Sequence, residues 1–293
     1  MTKSMRSWIF PLAVLLPLLG LFAGSCGAAY PAPAQDPPAV CSNATLNGSY
    51  GWWEQGNWLA PLPVSGAPAP PYPYAAVGTI DYDGNGNVSA HGWLNIGGYP
   101  NEMSFTGTYA VNPDCTTARQ FTLPSGDVLS YSGTITGAGM QQEVHYTYRQ
   151  GDAPSSAAVA VGTVKKMPVG RCSLVTLKGA YGLFGQGTIT VAPPGFPLPP
   201  PIFGSHVGVL IADGKGNMSG SDTENHMGMS EPKAYGVAYT VNSGCVVTST
   251  VNDTAAEFTF NEKGVITGEG ESQEVHLIID GPGWVYADTL KAK

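Results

Sequence analysis

Positive charge is scarce in this chain. Thirteen Lys and Arg face 21 Asp and Glu across 293 residues, a net charge of −8. No basic stripe gathers the few cations, so a phosphate backbone meets repulsion and nucleic acid is excluded as a partner. Uninterrupted helical periods are also missing. The 39 Gly and 25 Pro sit in short punctuating clusters without a collagen-like repeat, which leaves little room for long helices. The chain has no GxSxG, HExxH, P-loop, or GxGxxG opening a helix, so the standard nucleophile and phosphate chemistries lack support. Cysteine is limited to five residues, none in a CxxC or Cys/His cluster, and no metal or cofactor is expected. What is plentiful is apolar residues, 43% of the chain, enough to bury a substantial core.

Lys3 and Arg6 precede an apolar stretch from Ser7 to Gly24, the layout of an export signal. A retained membrane helix is the competing reading, but Pro11 and Pro17 interrupt the stretch and small residues follow at once. Ala23, Gly24 and Ser25 lead into Cys26, which resembles the bacterial lipoprotein signal, where that cysteine is lipidated and becomes the new N-terminus. Cleavage after Ala29 is the alternative. Residues 1–25 are therefore expected to be a signal peptide, and 26–40 an extended Ala/Pro-rich tether. Removing the signal takes away two cations and no acid, moving the net charge from −8 to −10. Such a surface disfavours anionic lipid, so membrane association is expected only through the anchor. The expected location is extracytoplasmic, as a bacterial envelope lipoprotein or a secreted protein.

The rest of the chain is duplicated. CSNATLNGSYG at Cys41 recurs as CSLVTLKGAYG at Cys172, VGTIDYDGNGNVS at Val77 as VGVLIADGKGNMS at Val207, and TITGAGMQQEVH at Thr134 as VITGEGESQEVH at Val265. TYAVNPDC, ending at Cys115, likewise recurs as AYTVNSGC, ending at Cys245. Blocks in constant register mark two tandem domains, 41–168 and 169–293. The repeat also explains the odd cysteine: Cys41 pairs with Cys115 and Cys172 with Cys245, leaving Cys26 for lipid. Free thiols or metal ligation are the alternatives.

Within each copy the apolar period is two. In YGWWEQGNW, Tyr50, Trp52 and Trp58 share one face, and Trp53 and Gln55 the other. Alternating runs follow near 75–83, 87–97, 103–111, 115–123, 128–137, 141–149 and 157–166. That makes about eight strands per copy, and sequential hairpins in an even number favour closure into a barrel over a sandwich. The fold class expected is all-β, two tandem antiparallel barrels. The series CSNATLNGSYG, GTIDYDGNGNVS, GTYAVNPDC and a final QEVH strand leading into VAVGTVKK resembles uncharacterised secreted bacterial β-proteins, often found in soil bacteria. Their folds look like lipocalin or allene oxide cyclase barrels. The resemblance covers both copies and implies a fold, but carries no catalytic residue over to this chain; the second copy departs at its end, with VYADTLKAK in place of VAVGTVKK.

Several residues invite a functional reading. Asp81, Asp83, Asn85, Gly86 and Asn87 match the early places of a calcium loop, yet Gly92 stands where a bidentate Glu is needed, and Ile211 and Lys215 replace Asp81 and Asn85 in copy two. A hairpin turn serves both copies. Glu143 and His145, with Glu274 and His276, are the acid–imidazole pairs common to both copies, candidates for proton transfer or metal binding. Because Val144, Tyr146 and Tyr148 on the opposite face need the core, the pairs are expected to point outward into solvent. His91 aligns with Ser221 and His206 with Ala76, so neither adds to the case. Trp52, Trp53, Trp58, Trp93 and Phe184 suit either a packed core or the lining of a ligand cavity. Pro-rich segments beginning at Pro61 and Pro193 must leave the sheet, as stiff surface loops or as lids over a barrel mouth. Asn43, Asn47, Asn87, Asn217 and Asn252 fit a glycosylation sequon that a bacterial lipoprotein signal makes incidental.

Three functions remain open: non-covalent binding of a small apolar ligand by an envelope module, a cofactor-free cyclase or isomerase of the barrel kind with Glu143 or His145 turned inward, and a structural or adhesive surface protein.

Overall fold

Alternation of side chains organises the whole computed structural model, which describes residues 40–62, 69–123, 126–149, 158–191, 200–253 and 258–293. The expected signal, Cys26, nearly all of the tether, part of the first Pro-rich segment and most of the second lie outside the described residues. The first barrel runs β1 (Asn47–Trp58), β2 (Tyr72–Asp83), β3 (Asn87–Ile96), β4 (Tyr99–Val111), β5 (Thr116–Thr122), β6 (Val128–Thr136), β7 (Glu143–Arg149) and β8 (Ala158–Lys166). The second runs β9 (Lys178–Ile189), β10 (Ile202–Asp213), β11 (Asn217–His226), β12 (Met229–Val241), β13 (Val246–Asp253), β14 (Phe258–Thr267), β15 (Glu274–Ile279) and β16 (Trp284–Ala292). Every neighbour is antiparallel and both barrels close: Tyr50 opposes Ile80 on β2 and Lys166 on β8, and Tyr181 opposes Leu210 on β10 and Ala292 on β16. Among the described residues closure leaves no free sheet edge.

The duplicated motifs seal one end of each barrel. The Tyr50 hydroxyl donates to Gln142 Oε1 at 2.7 Å, Gln142 Nε2 donates to the Thr45 carbonyl at 3.0 Å, and Tyr109 donates to the Leu46 carbonyl at 2.8 Å. Copy two repeats this set as Tyr181–Gln273, Gln273–Thr176 and Tyr239–Leu177 at 2.7, 3.0 and 2.8 Å. Disulfides Cys41–Cys115 and Cys172–Cys245 tie the lead-in segment to the turn after β4 and after β12. The DGNGN segment is a hairpin turn, as the sequence predicts: Asp83 Oδ1 accepts from the backbone N–H of Asn85 at 2.7 Å and of Asn87 at 2.9 Å. Gly84 and Gly86 supply φ of 76° and 110° there, which only glycine adopts without strain.

The two barrels pack directly on each other. Ala75, Val77, Trp53 and Trp93 on the outside of β1–β3 meet Val265, Ile278, Val285 and Ala287 on the outside of β14–β16. Asn95 is fully buried, and its amide nitrogen donates toward the carbonyls of Trp284, Ile279 and Gly281 at 2.7, 3.0 and 3.2 Å. Among the described residues no helix is long and apolar enough to cross a membrane.

Candidate functional site

The lumen of the first barrel holds a cavity of about 350 Å³. An eight-stranded barrel has room for packed side chains or for one small ligand, and residue size decides which. Lumen-facing positions on β1 carry Trp52 and Glu54, with Trp58 nearer the mouth. Gly78 and Gly92 lie opposite, where a Cβ would come within 2.7 Å of Trp52 Nε1 and 2.5 Å of Trp52 Cζ2. Tyr74, Phe105, Phe121, Tyr131 and Tyr146 complete an aromatic lining. Pro61, Leu62, Tyr99 and Ala158 stand at the mouth, opposite the sealed end.

Two charged side chains are buried in this apolar space. Glu54 is 4% exposed and accepts a short hydrogen bond from the Tyr74 hydroxyl. Burial pushes its carboxyl pKa up, against the smaller opposing effects of Tyr74, Tyr146 and Arg119, so it holds its proton to higher pH than an ordinary glutamate. Arg119 donates through Nη1 to the Tyr82 hydroxyl at 2.7 Å. Its guanidinium lies 4.4, 4.9 and 5.4 Å from the ring centroids of Tyr146, Tyr131 and Phe121, a cage of cation–π contacts. Arg119 Nε and Trp52 Nε1 are buried without hydrogen-bond partners. Such orphaned donors are costly, and both belong to residues lining the cavity.

The second lumen is filled differently. At its mouth Ile189, Ile202, Ile279 and Tyr286 pack with Phe260 and Trp284. The position of Trp284, opposite Ile189 in register, is that of Ala158 opposite Trp58 in the first barrel. Exchange of Ala for Trp plugs the second mouth, and a space of only about 50 Å³ remains beneath it. Around that space stand His206, Asp222, Glu224, Tyr235, Ser249, Glu262 and Asp288. His206 Nε2 is 3.0 Å from Asp288 Oδ1, and Nδ1 is 3.4 Å from Asp222 Oδ2. Burial alone would lower the imidazole pKa; Asp288 and Asp222 outweigh it and hold it at about 9. Burial and the neighbouring Asp288 push the Glu262 carboxyl up.

Of the aromatic candidates, Trp52 and Trp58 line the first cavity, whereas Trp53, Trp93 and Phe184 do not. Strand parity turns these three outward: Trp53 and Trp93 into the contact between barrels, Phe184 toward solvent at 48% exposure. The Glu/His pairs also face outward, with different fates. The His145 side chain is 54% exposed, beside Glu143, as expected. Glu274 and His276 depart from the expectation of solvent exposure: both are buried, because the outer face of β15 lies against the first barrel. Neither pair faces a lumen. Glu54, Arg119 and the His206 cluster were not singled out from sequence. Parity places Glu54 two residues beyond Trp52, and Asp222 and Glu224 on one face of β11, and was the signal available.

No protein-family model matches the sequence, and no curated protein matches it. Solved structures give distant likenesses. Kievitone hydratase from Nectria haematococca is 6% identical with a TM-score of 0.27, covering 87% of this chain and 94% of that one. A protein of unknown function of the DUF3598 family from Nostoc punctiforme is 8% identical with a TM-score of 0.25, covering 86% and 98%. Intact Ap-TbpB, with N and C lobes, is 9% identical with a TM-score of 0.24, covering 87% and 77%. Likeness at this level assigns neither family nor activity.

Proposed function

We propose that this is an exported, lipid-anchored binding protein whose first barrel takes up one small, largely apolar, aromatic molecule. The observation that carries the reading is the cavity of about 350 Å³, within the size range of small-molecule sites. Its aromatic walls surround two fixed polar groups, the Glu54–Tyr74 pair and Arg119. Aromatic walls supply binding energy by desolvation and ring stacking, and the buried polar pair supplies orientation. The plugged second barrel predicts one ligand per chain, not two. Export is supported by Lys3, Arg6 and the apolar stretch after them, and by two disulfides suited to an oxidising compartment. Anchoring rests on Cys26 and is tested by radiolabelled palmitate incorporation, which Cys26→Ala should abolish.

Native mass spectrometry of protein extracted from the producing cells should show one bound small molecule. Titration of the purified protein with 1-anilinonaphthalene-8-sulfonate should saturate at one equivalent. No uptake of the fluorophore and no co-purified molecule would remove the reading.

One observation favours a second reading, that of a cofactor-free isomerase or cyclase. Glu54, its pKa raised by burial, lies beside phenolic hydroxyls inside the cavity, where a general acid or base would stand. Glu54→Gln separates the two: a binding protein keeps its ligand within about tenfold in affinity, whereas an enzyme keeps binding and loses turnover.

A further inference from the structure

The second lumen gathers acidic side chains around an imidazole. Asp222, Glu224, Glu262 and Asp288 stand around His206. Carboxyl groups buried this close together are costly unless they are hydrogen-bonded or paired with a cation. Strand geometry focuses three of these side chains on one point. His206 on β10 and Glu224 on β11 are register partners, and Asp222 lies two residues along β11 on the same face. One donor atom from each of His206, Asp222 and Glu224 lies within 4.8 Å of the others.

A further feature points to an occupant. The Asp222 side chain is fully buried. Its Oδ2 accepts from the Tyr235 hydroxyl at 3.1 Å, while its Oδ1 has no hydrogen-bond partner. Native interiors rarely leave such atoms idle. The space of about 50 Å³ is too small for an organic ligand and suits an ion with one or two waters.

We propose that the second barrel is a binding site for one divalent first-row metal ion, held by His206 through Nδ1 and by the carboxylates of Asp222 and Glu224, with Asp288 orienting the imidazole through Nε2. The His206–Asp288 contact is the carboxylate–imidazole arrangement by which metal-bound histidines are fixed in tautomer and direction. One nitrogen and two carboxylates form a borderline-hard donor set that fits Zn²⁺, Mn²⁺ or Co²⁺ and disfavours soft ions. The first barrel lacks the site outright: Ala76, Gly92 and Leu94 stand where His206, Asp222 and Glu224 do. The sequence therefore hides it, since a donor set present in one copy only looks incidental.

The test uses the full chain, stripped with chelator and dialysed. Calorimetric titration with ZnCl₂ should give one site per chain. Asp288→Asn should weaken it about 10- to 100-fold, and His206→Gln or Glu224→Gln should weaken it more. Glu143→Gln/His145→Gln, which removes a surface acid–imidazole pair, should leave it unchanged. A readout independent of any variant is the proton NMR spectrum of the Co²⁺-loaded wild type. It should contain a single hyperfine-shifted exchangeable imidazole proton, that of His206 Nε2. Absence of that resonance, no Zn²⁺ uptake at about millimolar concentration, or an affinity indifferent to His206→Gln and Glu224→Gln would each overturn the proposal. Fluorophore uptake by the first barrel is a separate property and is unaffected by these outcomes.

Discussion

Trp53 of the first barrel lies flat on His276 of the second, with ring centroids 3.2 Å apart and planes 9° from parallel. The stack makes the outward-facing aromatic of β1 an element of the contact between barrels. Below it a shared ionic cluster forms: Lys165 is 3.3 Å from both Glu143 and Glu274, and Lys291 is 2.9 Å from Glu274. The barrels are therefore joined by a buried surface with its own electrostatics.

That surface should weaken in acid. Burial is the main cause that holds the His276 imidazole down at about 4, against about 6.5 in the unfolded chain. The folded form thus binds its proton at lower pH than the unfolded form. The stability tied to the neutral ring is complete above about pH 6.5 and is lost as pH falls through about 4, about 3 kcal/mol at most. Glu274 acts with the same sign at lower pH. Burial would raise it, but contacts from His276 and Lys291 and the charge of Lys165 outweigh that and hold it at about 2. Urea denaturation at pH 7, 5.5 and 4 should show the midpoint falling. Trp53→Ala exposes His276 to water and should flatten the part of that fall above pH 4. An acid profile identical in wild type and variant would refute the assignment.

A second prediction uses the duplication as its own control. Gly98 and Gly228 occupy equivalent turns with φ of 89° and 88°. A Cβ at Gly228 meets nothing within 4 Å, whereas at Gly98 it would fall 2.7 Å from the backbone nitrogen of Gly283 and 2.5 Å from Thr190 Oγ1. Gly98 also accepts from the Gly283 N–H at 3.0 Å. Gly228→Ala should cost only the left-handed backbone penalty, about 1–2 kcal/mol. Gly98→Ala should cost a further ~1–3 kcal/mol from forced separation of the barrels. Equal denaturation midpoints for the two variants would mean that the close approach between barrels does not hold in solution.

Strand number and barrel closure were legible in the sequence because they depend on local alternation and on glycine-rich turns such as Asp83–Asn87, whereas β2 and β4 begin at Tyr72 and Tyr99, ahead of the alternating runs expected from 75 and 103. The fate of an outward face was not. Trp53 and Phe184 occupy the same position in their copies, and only the neighbouring barrel makes one buried and the other exposed. His145 and His276 differ for the same reason. Lumenal chemistry was half legible: parity assigns Trp52 and Glu54 to one face, but aromatic type drew attention to the tryptophans and away from the glutamate. Whether a lumen is hollow depends on volumes summed across strands far apart in sequence, and no single motif records that sum.

The contrast between Ala158 and Trp284 makes that sum testable. Trp284 stacks near Phe260, ring centroids 6.4 Å apart and planes 9° from parallel, and with Ile189, Ile202 and Ile279 it closes the second mouth. Its counterpart Ala158 lines the first cavity. Ala158→Trp should therefore transplant the plug, abolishing fluorophore uptake by the first barrel. Because the indole enters existing space, this should occur without the destabilisation expected of overpacking. The reciprocal Trp284→Ala should cost roughly 3–4 kcal/mol for lost burial and the void left behind, and should open the second lumen to a second equivalent of the same fluorophore. Uptake by Ala158→Trp equal to that of wild type, in protein with an unchanged near-ultraviolet circular dichroism spectrum, would show that the fluorophore binds outside the barrel and that mouth residue size does not decide which lumen is hollow.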